Sequence, residues 1–185
     1  MYKGIIMGSQ HGSLNEYDKT FIAEQKMFFI ASSSGKEVNL SPRGYDCLRI
    51  LGDNEAVFLD YAGSGNRTAR DIEAEGDITV MFCSFGPAPM ILRLFCKGEV
   101  IEKENSTLKK MFSLMDLKGV RQFIKLHIYC VEHSCGMSVP IYEFTSQRSE
   151  LKEWCKEEEN AGRLDEYIKR RHTPQDLSEY RFFLK

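Results

Sequence analysis

Seven short segments with the character of β-strands follow one another between residues 27 and 131, and this run constrains the fold more than any other feature of the chain. Their apolar residues alternate with polar ones or form unbroken apolar runs, as in strands with one or both faces buried. We predict strands over 27–32, 38–41, 48–51, 56–61, 78–84, 91–101 and 120–131. Short turns join most of them, so the chain is predicted to be mainly β, an antiparallel barrel or sandwich with helical additions.

Helical spacing marks the remaining regular structure. We predict helices over 18–26, 68–75 and 105–115. The second of these ends at Gly76, because glycine is the usual residue after a helix C-terminus. From residue 146 the helical period takes over, with an apolar stripe on each side of Gly162, which allows two helices there. The tail after His172 is polar with an apolar tip, which we expect to dock on its own domain or on a partner subunit.

Composition and charge exclude several classes of partner. The 25 basic and 27 acidic residues leave a net charge of -2, which provides no basic excess for holding a nucleic-acid backbone. The apolar runs are too short to span a bilayer, and the first residues are too few and too polar for a secretory signal. Six cysteines are scattered without a C-x-x-C pair, so we expect reduced thiols. These features predict a cytoplasmic protein with neither a nucleic-acid nor a membrane partner.

The stretch 63–68, Gly-Ser-Gly-Asn-Arg-Thr, is the strongest local signal for ligand binding. Glycines let the backbone approach an anion, and amides at the start of the following helix point toward it. Ser64 and Thr68 offer hydroxyls, and Arg67 offers a bidentate guanidinium. The alternative is a plain strand-to-helix loop in which Asn66 is the N-cap. It is not a Walker A loop, because the Gly-Lys-Ser/Thr ending is missing.

Two arginines add to this signal. Residues 39–44 form a strand end whose main-chain groups could meet a planar ring while Arg43 meets a phosphate; the alternative is an exposed arginine at a strand end. Arg93 lies within an apolar strand and needs a partner if it is buried. That partner is either a ligand or a carboxylate such as Asp60.

Cys130, His133 and Cys135 stand close enough in the sequence to raise the question of a metal site. No second pair completes a tetrahedral set at zinc-finger spacing, and no local signature sets up a nucleophilic cysteine. We therefore predict neither a metal site nor a catalytic side chain, and interpret these residues as a strand end with free thiols.

Five stretches resemble the pyridoxamine 5′-phosphate oxidase-like family of FMN-binding split barrels: 38–44, 58–68, 78–85, 91–98 and 135–140. Their order and spacing carry the resemblance, which runs from residue 21 to residue 167. The last stretch is similar to a segment of one uncharacterised branch of the family. The resemblance implies a six-stranded antiparallel split β-barrel of Greek-key type, a homodimer, and FMN in a cleft between the subunits. It also implies an FMN-binding barrel domain over 1–145, with a helical extension, 146–185, packed on it.

The resemblance also implies site residues by position. Arg67 and Thr68 match the arginine and the lysine of the family's Ser-Arg-Lys phosphate clamp, and Arg43 matches a second phosphate-binding lysine. Residues 40–41 and 59–61 match the two strands that face the flavin ring. Arg93 falls where the family's oxidase has a glutamine that reaches the flavin from the other subunit. With the loop pattern, the implied cofactor-binding residues are Asn39, Leu40, Ser41, Arg43, Leu59, Asp60, Tyr61, Ser64, Asn66, Arg67, Thr68 and Arg93.

Three departures separate the chain from a true pyridoxamine 5′-phosphate oxidase. Thr68 replaces the clamp lysine, Val38 replaces an arginine, and the C-terminus lacks the tryptophan and arginine motif that binds the substrate phosphate. Each lost charge-assisted contact costs about 1.5–3 kcal/mol. We therefore do not expect the chain to make pyridoxal phosphate.

The resemblance implies an FMN-dependent oxidoreductase that passes hydride between the flavin and a small-molecule substrate or a nicotinamide. One alternative is a flavin-storing or haem-binding protein, for which His127, His133 and His172 are the available imidazoles. The other is a deazaflavin-dependent reductase, which the missing clamp charges leave open.

Overall fold

The computed structural model describes residues 8–35, 37–113, 115–172, 177 and 180, and within them the chain forms eight strands and five helices. The strands are β1 Gln10–His11, β2 Phe28–Ser33, β3 Val38–Arg43, β4 Leu48–Gly52, β5 Glu55–Tyr61, β6 Asp77–Cys83, β7 Ile91–Glu102 and β8 Val120–Ser134. The helices are α1 Glu16–Glu24, α2 Arg67–Glu73, α3 Ser106–Met111, α4 Glu150–Asn160 and α5 Leu164–His172.

The strands form one antiparallel sheet in the order β3-β2-β6-β7-β8-β5-β4, and β1 adds to β8. The meander β6–β7–β8 has β5 beside its last strand, which is a Greek-key arrangement. The mainly antiparallel β prediction with C-terminal helices is confirmed. The implied count of six strands is too low: the seven strands of the sequence pattern are present, and β1 is an eighth. A two-residue polar strand gives no periodic signal.

Alternation along strands such as β7 buries one face of the sheet, whereas the central strand β5 is buried on both faces. In β7, Leu92, Leu94 and Cys96 are fully buried, while Arg93 and Lys97 point away from the core. The largest fully buried side chains include four phenylalanines, which are Phe58 of β5, Phe82 of β6, Phe112 directly after α3 and Phe123 of β8. Each such side chain contributes about 1.5–3 kcal/mol by leaving water. The sheet that carries the site is therefore held from beneath by a continuous apolar layer.

Helix boundaries depart from the predicted ones where capping decides them. α1 begins two residues before the predicted start at 18, because Asn15 and Asp18 form a capping box. α3 is shorter than the predicted 105–115, with Asn105 as its N-cap. At the end of α2, Glu75 and not Gly76 has a positive φ, of 56°. Gly76 is required for space: a Cβ there would stand 2.5 Å from the Ser33 carbonyl oxygen and 2.7 Å from that of Asp71.

The two C-terminal helices pack on the sheet beside the start of β8. Gly162 separates α4 from α5 at a φ of 69°, as the sequence predicted. Cys155 of α4 is fully buried, and a Cβ on Gly119 would meet its sulfur at 2.4 Å. The apolar tip that we predicted to dock begins at Tyr180, which is 73% exposed, and its remaining residues, 181–184, lie outside the described residues. In the described part of the chain, no helix combines the length and the apolar character needed to cross a membrane.

Candidate functional site

A cavity of about 390 Å³ opens where β3, the end of β5, the loop after β5 and the start of α2 meet, with α5 on its far side. Seven of the predicted cofactor residues line it: Asn39, Ser41, Arg43, Tyr61, Ser64, Arg67 and Thr68. Pro42, Gly63, Gly65 and Arg171 complete the lining. The glycine-rich loop and the strand end that were singled out separately in the sequence thus face one space.

One buried carboxylate organises the arginines behind the cavity. Arg43 Nη1 donates to Asp60 Oδ1 at 2.8 Å, and Arg121 Nε lies 3.6 Å from Asp60 Oδ2. Gln122 Nε2 also donates to Oδ2, at 2.9 Å. Asp60 is buried, so these contacts supply the opposite charge that a buried carboxylate needs. One acidic group is therefore shared between two arginines.

Arg121 fixes the glycine-rich loop and was missed by the sequence analysis. Its Nη2 donates to the Tyr61 carbonyl at 3.0 Å and to the Gly65 carbonyl at 3.1 Å. Burial lowers the pKa of this guanidinium, and the charge of Asp60 opposes that effect. The signal that could have found Arg121 is its position in the apolar start of β8. As was argued for Arg93, an arginine within an apolar strand needs a partner if it is buried.

Asn66 occupies the N-cap position of α2, but its side chain makes no capping hydrogen bond. Instead its Oδ1 accepts from Gln122 Nε2 at 3.0 Å, and its Nδ2 lies 2.8 Å from His172 Nδ1. Arg70 Nη1 donates to the carbonyls of Arg171 and His172, both at 3.2 Å. The prediction of Asn66 as the N-cap of α2 is confirmed by its position, while its side-chain amide is used to tie α5 to the loop. These contacts bring Arg171 to the cavity.

The hydroxyl of Thr68 belongs to a chain of hydrogen bonds along the cavity wall. Asn39 Nδ2 donates to Thr68 Oγ1 and to Ser32 Oγ, each at 3.1 Å. Ser32 Oγ in turn donates to Asp71 Oδ2 at 2.7 Å. Since Thr68 Oγ1 accepts from Asn39, its own hydrogen remains available to a ligand in the cavity.

Five predicted residues do not line this cavity. Leu40 is 66% exposed on the edge strand β3, Leu59 is in the core, and Asp60 and Asn66 are buried behind the wall. Arg93 Nη1 donates to Glu132 Oε1 at 3.0 Å and to Ser134 Oγ at 2.8 Å on the neighbouring strand β8. The suggestion that Asp60 is the carboxylate partner of Arg93 is wrong, because the β7–β8 register sets Arg93 opposite Glu132.

Several donors in the cavity wall or behind it lack a partner. Among the described residues, Arg43 Nε, Arg171 Nε and the Tyr61 hydroxyl are buried without a hydrogen-bond partner, as are Nε and Nη1 of Arg121 behind the wall. Within the described residues, the Arg67 side chain likewise has no hydrogen bond or ion pair. Buried donors without acceptors are costly and rare. A ligand with several anionic oxygens, such as a phosphate ester, fits this donor set.

The comparisons with known proteins point to one family. The family model described as pyridoxamine 5′-phosphate oxidase matches residues 14–134. The chain is 33% identical, over 88% of its own length and 70% of the relative's, to the pyridoxamine 5′-phosphate oxidase family protein ustO of Aspergillus flavus.

Two solved structures share the fold at low sequence identity. The first is a Lactobacillus delbrueckii protein provisionally assigned as a pyridoxamine 5′-phosphate oxidase, with a TM-score of 0.55 at 13% identity over 68% of this chain and 98% of that one. The second is HupZ of Group A Streptococcus, with a TM-score of 0.53 at 15% identity over 71% and 99% of the two chains. These likenesses confirm the predicted split-barrel class.

Proposed function

The chain belongs to the pyridoxamine 5′-phosphate oxidase family, and we propose that it binds FMN and acts as a flavin-dependent oxidoreductase on a small-molecule substrate or a nicotinamide. The observation that carries the proposal is the cavity lined by Arg43, Arg67 and Arg171, where the Arg67 side chain has no hydrogen bond or ion pair among the described residues. The FMN phosphate would supply the anionic oxygens that such a set of donors fits.

Each wall of the cavity has a distinct role in this proposal. Arg43, Arg67 and Arg171 hold the phosphate, with hydroxyl hydrogen bonds from Ser64 and Thr68. α2 has seven residues, so the side-chain charges and not its dipole carry the recognition. The bound flavin supplies the hydride chemistry, while the protein provides binding, orientation and electrostatics. No side chain of the chain needs to act as an acid or a base.

The proposal includes a homodimer in the cytoplasm. Val38 and Leu40 are 74% and 66% exposed on the edge strand β3 next to the cavity, where a second copy would cover them. Arg93 faces away from the core on β7 and would contribute to the flavin site of the partner. All six cysteines are free thiols, which suits a reducing compartment.

The substrate is expected to differ from pyridoxamine 5′-phosphate. Thr68 and Val38 stand where the family's oxidase has a lysine and an arginine. Within the proposal, the cations that line the cavity are assigned to the cofactor phosphate and not to a substrate phosphate.

The test is FMN binding by the purified protein, measured as the visible flavin spectrum retained after desalting and as a dissociation constant from fluorescence titration. We expect Arg67→Ala to weaken binding about 10- to 150-fold, because one charge-assisted contact contributes about 1.5–3 kcal/mol. Arg163→Ala is the matched control, since Arg163 pairs with Glu158 on the surface.

The proposal fails if the wild type retains no flavin. The phosphate assignment fails if Arg67→Ala binds as tightly as wild type. A colourless protein would then be titrated with haem and deazaflavin.

A further inference from the structure

Three side chains from three separate elements converge far from the cofactor cavity. His11 of β1 places its Nε2 2.8 Å from Asp18 Oδ2, and His133 of β8 places its Nε2 2.7 Å from Asp18 Oδ1. The ligand atoms of the three residues all lie within 4.8 Å of one another. The sequence analysis weighed His133 with the two neighbouring cysteines, but the fold brings it instead to a histidine and an aspartate of the N-terminal segment.

The carboxylate at the centre of this group is fully buried. Asp18 is 0% exposed, and besides the two imidazoles it accepts a hydrogen bond from the Asn15 amide at 3.0 Å. In the part of the chain that the structure describes, no lysine or arginine pairs with it. A buried carboxylate is costly unless an opposite charge compensates it. The two imidazoles provide it with hydrogen bonds.

We propose that His11, Asp18 and His133 form a binding site for a divalent transition-metal ion of the Zn²⁺ class. Two imidazole nitrogens and one carboxylate oxygen are typical ligands for such ions, whereas Mg²⁺ and Ca²⁺ prefer oxygen alone. Binding moves the proton now on each Nε2 to Nδ1 or to solvent, so that the nitrogen lone pair faces the metal. The ion supplies the positive charge that Asp18 lacks.

The site is accessible to an ion, and neighbouring contacts hold its ligand side chains in place. The side chains of His11 and His133 are 30% and 13% exposed, so an ion and a water ligand can enter from the His11 side. Asp18 is held by the capping box of α1, and the ring of Tyr17 stacks on His133 at 6.2 Å between centroids. Among the described residues, β1 pairs with β8 at two positions, and His133 also exchanges backbone hydrogen bonds with Gly8 and Ser9, so a shared metal would add to the contacts that fasten the N-terminal segment to the sheet.

This inference does not rest on the proposed function. Gln122, which contacts the cofactor-site residues Asp60 and Asn66, lies at the opposite end of β8 from His133. Eleven residues of extended strand separate the two, or roughly 36 Å at about 3.3 Å per residue. Loss of FMN binding and loss of metal binding can therefore be observed separately.

The experiment is a calorimetric titration of chelator-treated, reduced full-length protein with ZnCl₂, followed by zinc X-ray absorption. We expect one Zn²⁺ per chain in the wild type, with nitrogen and oxygen neighbours at about 2.0–2.1 Å and no sulfur shell near about 2.3 Å. His11→Gln and His133→Gln should each weaken binding at least about 10-fold. His127→Gln is the control, because His127 is on the same strand but pairs with Glu55 and Glu99 at the surface.

Three outcomes overturn the proposal. They are the absence of stoichiometric Zn²⁺ binding by the wild type, binding by both variants as tight as that of the wild type, and a sulfur shell, which would assign the ion to the cysteines. Since His11 is partly exposed on a two-residue strand, His11→Gln should keep the native circular-dichroism spectrum even if His133→Gln does not. Zn²⁺ should raise the melting temperature of the wild type and of His127→Gln but not of His11→Gln.

Discussion

Arg171 shows how one residue can supply a charge that the nearest sequence positions lack. Its side chain reaches the cavity from α5, and its Nε is buried with no hydrogen-bond partner in the part of the chain that the structure describes. Thr68 stands where the family's clamp has a lysine, so the phosphate needs a cation from elsewhere. Within the proposed function, Arg171 provides it.

We expect Arg171→Ala to weaken FMN binding about 10- to 150-fold, the effect of removing one charge-assisted contact of about 1.5–3 kcal/mol. Arg170→Ala is a close control, because both guanidiniums lie over the Tyr167 ring, at 5.5 and 5.3 Å, but Arg170 does not line the cavity. Fluorescence titration with FMN measures both. Equal dissociation constants for the two variants would remove Arg171 from the phosphate site.

At the scale of single residues, the sequence predicted the cavity arginines that belong to local sequence patterns and missed those that come from distant parts of the chain. Arg43 and Arg67 are in local patterns that favour anion binding, and both line the cavity. Arg121 and Arg171 reach the same region through the pairing of β5 with β8 and the docking of α5. Such contacts depend on long-range placement, which no local spacing encodes.

The junction of α2 with β6 depends on one glycine for close packing. Gly76 lies against the carbonyls of Ser33 and Asp71, and a Cβ would approach both to less than 3 Å. Because these are backbone atoms, they can move aside only if β2 or α2 shifts. We expect Gly76→Ala to destabilise the protein by about 1–3 kcal/mol, the usual cost of overpacking.

Thermal unfolding checks this prediction. For a chain of this size, each kcal/mol lowers the melting temperature by about 2–4 °C. Gly12→Ala is the matched control, because a Cβ at Gly12 meets no atom within 4 Å and its φ is not in the left-handed region. Similar melting temperatures for both variants would contradict the crowding at Gly76.

The elements that the sequence predicted well are those with a strong period. All seven strands between 27 and 131 exist, because each has an apolar pattern that the core enforces. β1 was missed, since its pairing with β8 is a property of the partner strand and not of its own two residues. The starts of α1 and α3 shifted because asparagine caps, and not apolar spacing, decide them.

Across the whole molecule, burial of cysteines links stability to alkaline pH. Cys47 and Cys96 are almost fully enclosed in the sheet core, and burial raises the pKa of each thiol from an ordinary value of about 9 to about 12. Between these values the unfolded chain releases the thiol protons while the folded chain keeps them. The free energy of unfolding is therefore unaffected below about pH 9 and falls as the pH rises toward about 12.

The slope of this loss is about 1.4 kcal/mol per pH unit for each thiol. For the wild type, we expect urea unfolding under reducing conditions to show that the free energy of unfolding falls with this slope above about pH 9. In the double variant Cys47→Ala/Cys96→Ala, the free energy of unfolding should fall less steeply with pH above about pH 9 than in the wild type. The difference in slope should equal the contribution of the two thiols. The stability of the double variant at neutral pH should be lower than that of the wild type. Tyr61, whose pKa burial also raises to about 12, titrates in both proteins and contributes to both slopes. Parallel slopes would mean that these cysteines ionise in the folded sheet as easily as in the unfolded chain, and that water reaches the core around them.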